Sequence, residues 1–69
     1  MAVVKVVELL AQSPDSWEAA TQEALRVASQ TIRNIQSIYV ENFQALVENN
    51  EITAYRVNVK VSFKVEESR

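Results

Sequence analysis

The sequence contains no cysteine, histidine or glycine in 69 residues. Without cysteine the chain forms no disulfide, and without histidine as well it has no ligands for a structural zinc site. The commonest general base and the thiol nucleophile are both missing. Phosphate-binding loops of the P-loop or dinucleotide kind need glycine and are excluded. We therefore predict that the protein is not an enzyme and has no catalytic residues.

The chain is also short, and we interpret residues 1–69 as one domain because no linker or repeat divides it. A domain of about 60 residues buries only about 60% of the surface that its unfolded chain exposes, so a lone copy would be marginally stable. Disulfides and zinc, the usual supports of small folds, are not available here. Self-association is the remaining source of stability, and we expect a homo-oligomer.

The chain also has no strong excess of basic or acidic residues and no long apolar run. Seven basic and nine acidic residues give a net charge of −2, which indicates no nucleic-acid partner. No apolar run approaches the roughly 18 residues needed to span a bilayer. We expect a soluble, cytoplasmic protein without a nucleic-acid or membrane partner.

The first half of the sequence predicts a strand followed by a helix. Residues 3–10 are rich in β-branched side chains, and an amphipathic pattern extends from about Ser16 to Asn34. Either Ser13, with proline at the first helical position, or Ser16 serves as the N-cap. Trp17 lies on the apolar stripe of the helix, where packing in the core or at an interface is its expected role.

The second half predicts two strands joined by a turn. From Ser37 apolar residues occur on both faces of a strand, where Tyr39 and Phe43 are candidates for an interface or a ligand wall. Residues 48–51 form the turn, and residues 52–66 alternate strictly between apolar and polar. Tyr55 and Phe63 share the apolar face of this last strand and are expected in the core.

The element order β-α-β-β defines the fold class, α+β. An antiparallel sheet made from these strands needs the third strand in the centre, which gives the order 1-3-2. The third strand is also the longest, so we expect the sheet to curl around the helix or to project toward other copies.

Several segments, in this order and spacing, resemble the dodecins, small flavin-binding proteins that assemble as hollow homododecamers. The resemblance covers nearly the whole chain and rests on VVELL at 6–10, SPDSWEAA at 13–20, RVASQTIRN at 26–34, AYRV at 54–57 and VKVSFK at 59–64. It implies a three-stranded antiparallel sheet wrapped around one helix. It also implies storage of flavin, FMN or riboflavin, at interfaces between subunits.

Two positions depart from the family pattern where the resemblance implies cofactor contacts. Flavin-binding members have a tryptophan early in the second strand that stacks on the isoalloxazine, and here that position is Ser37. A glutamine of the third strand bonds the pyrimidine edge, and here that position is Arg56. Stacking on an aromatic ring contributes about 1–3 kcal/mol, so we expect flavin binding about ten- to a hundredfold weaker than in those members.

Other charged residues leave two alternatives open. Arg56, Lys60 and Lys64 lie on one face of the last strand and offer either phosphate contacts or a solvated surface. The alternative function is a structural cage without flavin that binds cations such as calcium, for which acidic residues could gather at a symmetry axis. No dedicated calcium loop is present, and we assign no metal ligand; the acidic residues concerned are Glu48, Glu51, Glu66 and Glu67.

Overall fold

A computed structural model describes residues 3–65 of the chain. The elements are β1 (Val3–Ser13), α1 (Trp17–Ala28), β2 (Ile35–Glu48) and β3 (Glu51–Val65). Glu66, expected at the end of the third strand, and Glu67 lie outside the described residues. No helix within residues 3–65 is long and apolar enough to cross a membrane.

The sheet has the order β1-β3-β2, with β3 antiparallel to both neighbours, so the predicted fold class and strand order are confirmed. At 15 residues, β3 is the longest strand and runs through the centre. It continues past the end of β1, whose last residue Ser13 pairs with Tyr55, so the tip of the β2–β3 hairpin pairs only within itself. The domain is accordingly elongated, 56 Å in its longest dimension.

The core lies between α1 and one face of the sheet. The helix contributes three alanines spaced four residues apart, and the central strand contributes three valines at alternate positions. Small alanine side chains let the helix approach the sheet closely, and the valines are left without solvent contact. These residues are Ala20, Ala24, Ala28, Val57, Val59 and Val61.

The two candidate N-caps have different roles. Ser16 caps α1, because its Oγ accepts a hydrogen bond from the backbone N–H of Ala19 at 2.9 Å. Ser13 ends β1 instead, and its Oγ accepts from the N–H of Asp15 at 3.0 Å. The sequence pattern left both serines as candidates for the N-cap, and in the structure the cap is Ser16.

The predicted extent of the helix to Asn34 is wrong, because α1 ends at Ala28. The hydroxyl of Ser29 donates to the carbonyl of Arg26 at 2.8 Å, and the backbone then turns with the N–H of Ile32 donating to the carbonyl of Ala28. Asn34 has a φ of 63°, which an α-helix does not accommodate. Ile32 still packs against the core from this connection, which explains why the apolar period continued.

A bulge interrupts β2 between Val40 and Asn42. Strict alternation would place Phe43 on the same side as Tyr39. The extra residue instead sets Phe43 opposite Val57, on the helix side of the sheet, since a bulge reverses the faces that follow it. The mixed pattern of this strand therefore arises from a change of register.

Candidate ligand site

Both residues predicted at the flavin contacts lie on strands of the sheet. On β3, side chains alternate between the helix side, where the core valines are buried, and the opposite side, which we call the outer face. The outer face comprises Arg56, Asn58, Lys60, Ser62 and Lys64 of β3 together with the residues paired with them on β1 and β2.

Ser37 is exposed near the start of β2, opposite Ser62. The two Oγ atoms are 2.6 Å apart and share a hydrogen bond. On the other side of Ser62 lies Val6 of β1, which is 56% exposed. This end of the outer face consequently has two small hydroxyls and an aliphatic side chain, and none of the three offers a π-surface for stacking.

Arg56 is half-buried on the outer face of β3, and its cross-strand partners are Gln12 of β1 and Gln44 of β2. Its Nε and Nη2 both donate to Oε1 of Gln12, at 3.2 and 3.0 Å. These two bonds orient the planar guanidinium across the sheet. The importance of Gln12 could not be recognised from the sequence, because it depends on the register between β1 and β3.

A single copy does not bring Ser37 and Arg56 together. Ser37 lies opposite Ser62, and Arg56 precedes Ser62 by six positions on the same strand. At about 3.3 Å per residue the two sites are roughly 20 Å apart.

The charges of the outer face are unevenly matched. Lys60 forms an ion pair with Glu41, Nζ to Oε1 3.5 Å, and Glu8 is its partner in the β1 register. Arg56 has amides beside it on both sides, and neither of the two ion pairs formed within residues 3–65 involves it. The other ion pair joins Arg26 and Glu23 on the exposed side of the helix. The hydrogen bond that Arg26 donates to the Glu23 carboxylate lowers the pKa of Glu23.

Asn58 is the next outer-face residue of β3 after Arg56, and it pairs with Leu10 of β1 and Asn42 of β2. Its carboxamide oxygen is buried and has no hydrogen-bond partner among the described residues. A buried polar atom without a partner costs about 1–3 kcal/mol, so this oxygen lowers the stability of a single copy.

Trp17 belongs to an aromatic cluster on the helix side of the sheet. Its indole N–H donates to the carbonyl of Gln44 at 3.1 Å, and its ring centroid is 4.9 Å from that of Tyr55 and 5.2 Å from that of Phe43. Trp17 and Phe43, together with Val57, line an open cleft of about 400 Å³. Trp17 packs against the rings of Tyr55 and Phe43 at the edge of the core. Its side chain still leaves 37% of its surface exposed.

Many large apolar side chains are exposed on both faces of the sheet. Tyr39 and Phe43, the two aromatics predicted to line an interface or a ligand, are 64% and 62% exposed. Apolar exposure on this scale in a small domain marks an interaction surface. Other members are Val4, Val6, Leu10, Val47 and Ile52.

The acidic residues form no preassembled metal site in the described part of the chain, where no three carboxylates come together. Glu48 and Glu51 are paired across the hairpin turn, and both are exposed. The other two acidic residues of the cation alternative, Glu66 and Glu67, lie outside the described residues.

Comparison with known proteins identifies one family. Residues 3–66 match the family model described as Dodecin. The chain is 34% identical over 65 residues to calcium dodecin of Mycobacterium tuberculosis, covering 94% of this chain and 92% of the relative. It is 33% identical over 66 residues to dodecin of Thermus thermophilus, covering 96% of each.

Solved structures agree. The crystal structure of tt0972 protein from Thermus thermophilus matches with a TM-score of 0.92 at 32% identity, over 99% of this chain and 100% of that one. Dodecin from Streptomyces coelicolor matches with a TM-score of 0.91 at 30% identity, over 97% and 96% of the two chains. The chain belongs to the dodecin family.

Proposed function

We propose that this dodecin is a binding protein, not an enzyme, and that it forms a hollow homododecamer with small-molecule sites between its subunits. The observation that carries the proposal is the apolar surface that one copy leaves exposed on a backbone matching dodecin structures along nearly its whole length. Storage of a heterocyclic ligand such as flavin is the family's expected activity. In this chain both positions expected to contact the flavin carry a different residue, Ser37 and Arg56.

The exposed apolar surface supports the assembly. Both edge strands are long, 11 residues in β1 and 14 in β2, and unpaired edges of this length promote pairing with other chains. Leu10 on β1 is 67% exposed and Val47 near the hairpin tip is 61% exposed. Burying these side chains between copies would stabilise the domain by about 25 cal/mol for each Å² removed from water.

The flavin sites are weak in this proposal. Ser37 has a hydroxyl bonded to Ser62 where stacking would need a ring. Arg56 has donors and no acceptor, so it does not reproduce the edge of a glutamine amide, which has both. Free riboflavin should therefore bind weakly or not at all.

Riboflavin fluorescence titration tests this part of the proposal. The unmodified protein should quench riboflavin weakly, and Ser37→Trp combined with Arg56→Gln should bind it about ten- to a hundredfold more tightly, because stacking contributes about 1–3 kcal/mol. Gln30→Trp with Arg33→Gln, which also introduces one tryptophan and removes one arginine but at exposed positions off the sheet, is the control. Tight quenching by the unmodified protein would refute the loss of affinity, and no gain in the double variant would refute the assigned site.

A cage that binds calcium without flavin is the second candidate. It is favoured by the likeness to the relative named calcium dodecin and by the two carboxylates paired at the hairpin turn. Oxygen ligands of this kind suit calcium. Isothermal titration with calcium should show binding that Glu48→Gln with Glu51→Gln removes; equal heats from both proteins would exclude these carboxylates as ligands.

A further inference from the structure

We propose that Arg56 is an oxyanion site that makes this protein select small organic anions, such as phosphate monoesters or carboxylates, over neutral heterocycles. The inference deepens the proposed function and rests on it, because the outer face is open in one copy and only a neighbouring copy could enclose a ligand there. Two observations support it, the orientation of the guanidinium and its charge environment.

The guanidinium is already positioned in the structure. Gln12 accepts hydrogen bonds from Nε and Nη2 of Arg56 through a single oxygen, Oε1. The remaining N–H groups, including both on Nη1, stay available. An arginine held in this way loses little side-chain freedom on binding, and its planar group suits the oxygens of phosphate and carboxylate.

The charge of Arg56 is also not neutralised by its surroundings. Its cross-strand neighbours are Gln12 and Gln44, whereas the carboxylates of the outer face lie beside Lys60. Lys60 is thus the local comparison: it lies on the same strand and face, and it is satisfied by Glu41 at 3.5 Å. Both cations are half-buried, so the difference lies in their partners: a cation with amide neighbours favours an anionic ligand more strongly than a cation already paired with a carboxylate does.

FMN and riboflavin separate the two classes of ligand. They share the heterocycle and the ribityl chain, and only FMN carries a phosphate. A site that recognises an oxyanion through Arg56 therefore distinguishes them.

The test compares FMN with riboflavin on the assembled protein, by fluorescence titration at low ionic strength. The unmodified protein should bind FMN at least tenfold more tightly than riboflavin, and Arg56→Gln should remove this preference. Arg33→Gln is the matched control, because it makes the same exchange and the same change of net charge at an exposed residue off the sheet, and it should keep the preference. Equal binding of the two flavins by the unmodified protein, no binding of FMN, or a preference that survives Arg56→Gln would each overturn the proposal.

Competition then shows which oxyanion the site accepts. Inorganic phosphate and acetate are added separately to the FMN complex, against sodium chloride at the same ionic strength, which accounts for general screening. Displacement by phosphate alone indicates a phosphate site, and displacement by both indicates a general oxyanion site. Displacement by neither would contradict the proposal.

The subunit count separates this proposal from the function on which it rests. If the protein is a dodecamer without preference for FMN, Arg56 is not an oxyanion site and the proposed assembly stands. If the chain stays monomeric, the enclosed site does not form and both proposals fail.

Discussion

At the scale of single residues, three serines have unrelated roles. Ser16 caps the helix, Ser13 closes the end of β1, and Ser37 bonds across the sheet to Ser62. The capping alternatives could be predicted from the sequence because they depend on neighbours two or three residues away. The contact with Ser62 could not, since it requires the register of strands 25 residues apart.

The N-cap gives a direct test at this scale. Ser16→Ala removes the acceptor for the N–H of Ala19 and should lower the free energy of unfolding by about 1 kcal/mol. Chemical denaturation followed by circular dichroism measures the change. Gln30→Ala, at an exposed position past the end of the helix, serves as the control and should have a much smaller effect. Equal stability of Ser16→Ala and the unmodified protein would mean that the cap contributes nothing.

The hairpin turn depends on two asparagines. Asn49 and Asn50 have φ angles of 52° and 64°, a conformation that asparagine and glycine tolerate and β-branched residues do not. Asn50→Val should therefore destabilise the protein by about 1–2 kcal/mol, whereas Asn50→Gly should be neutral or stabilising. Thermal unfolding of the pair is the measurement. A valine variant as stable as the glycine variant would contradict the turn conformation.

At the scale of elements, β3 was predictable and β2 was not. The strict alternation of β3 predicts its buried face, and Val57, Val59 and Val61 are indeed fully buried. In β2 the bulge after Val40 breaks the alternation, and nothing in a single sequence marks a bulge of this kind. The end of the helix was missed for a related reason, because Ile32 keeps the helical period while it packs from a turn.

In the candidate site, too, local features could be predicted from the sequence, and contacts that depend on strand pairing could not. Ser37 and Arg56 are assigned as flavin contacts by resemblance, and this assignment stays a prediction. The contact between Gln12 and Arg56 could not be predicted, since it arises from the pairing of β1 with β3.

The buried face of β3 gives the test at this scale. Val59 is fully buried against the helix, so Val59→Asp places a carboxylate in the core without a partner and should prevent folding. Lys64→Asp puts the same side chain at an exposed position of the same strand and should leave the fold intact. Circular dichroism with thermal melting compares them. Wild-type-like melting of Val59→Asp would show that the faces of β3 are assigned wrongly.

At the scale of the whole molecule, one copy buries few of its apolar side chains. Its fully buried core consists of three alanines and three valines, and larger apolar side chains remain exposed on both faces of the sheet. A core this small contributes little stability against the entropy of ordering the chain. We therefore expect the chain to need assembly for its stability as well as for ligand binding.

Native mass spectrometry of the untagged protein at micromolar concentration tests this central claim most directly, because it reports the subunit count and any retained small molecule together. We expect a single species of twelve times the 7.8 kDa chain mass. A folded monomer or dimer as the main species would contradict it.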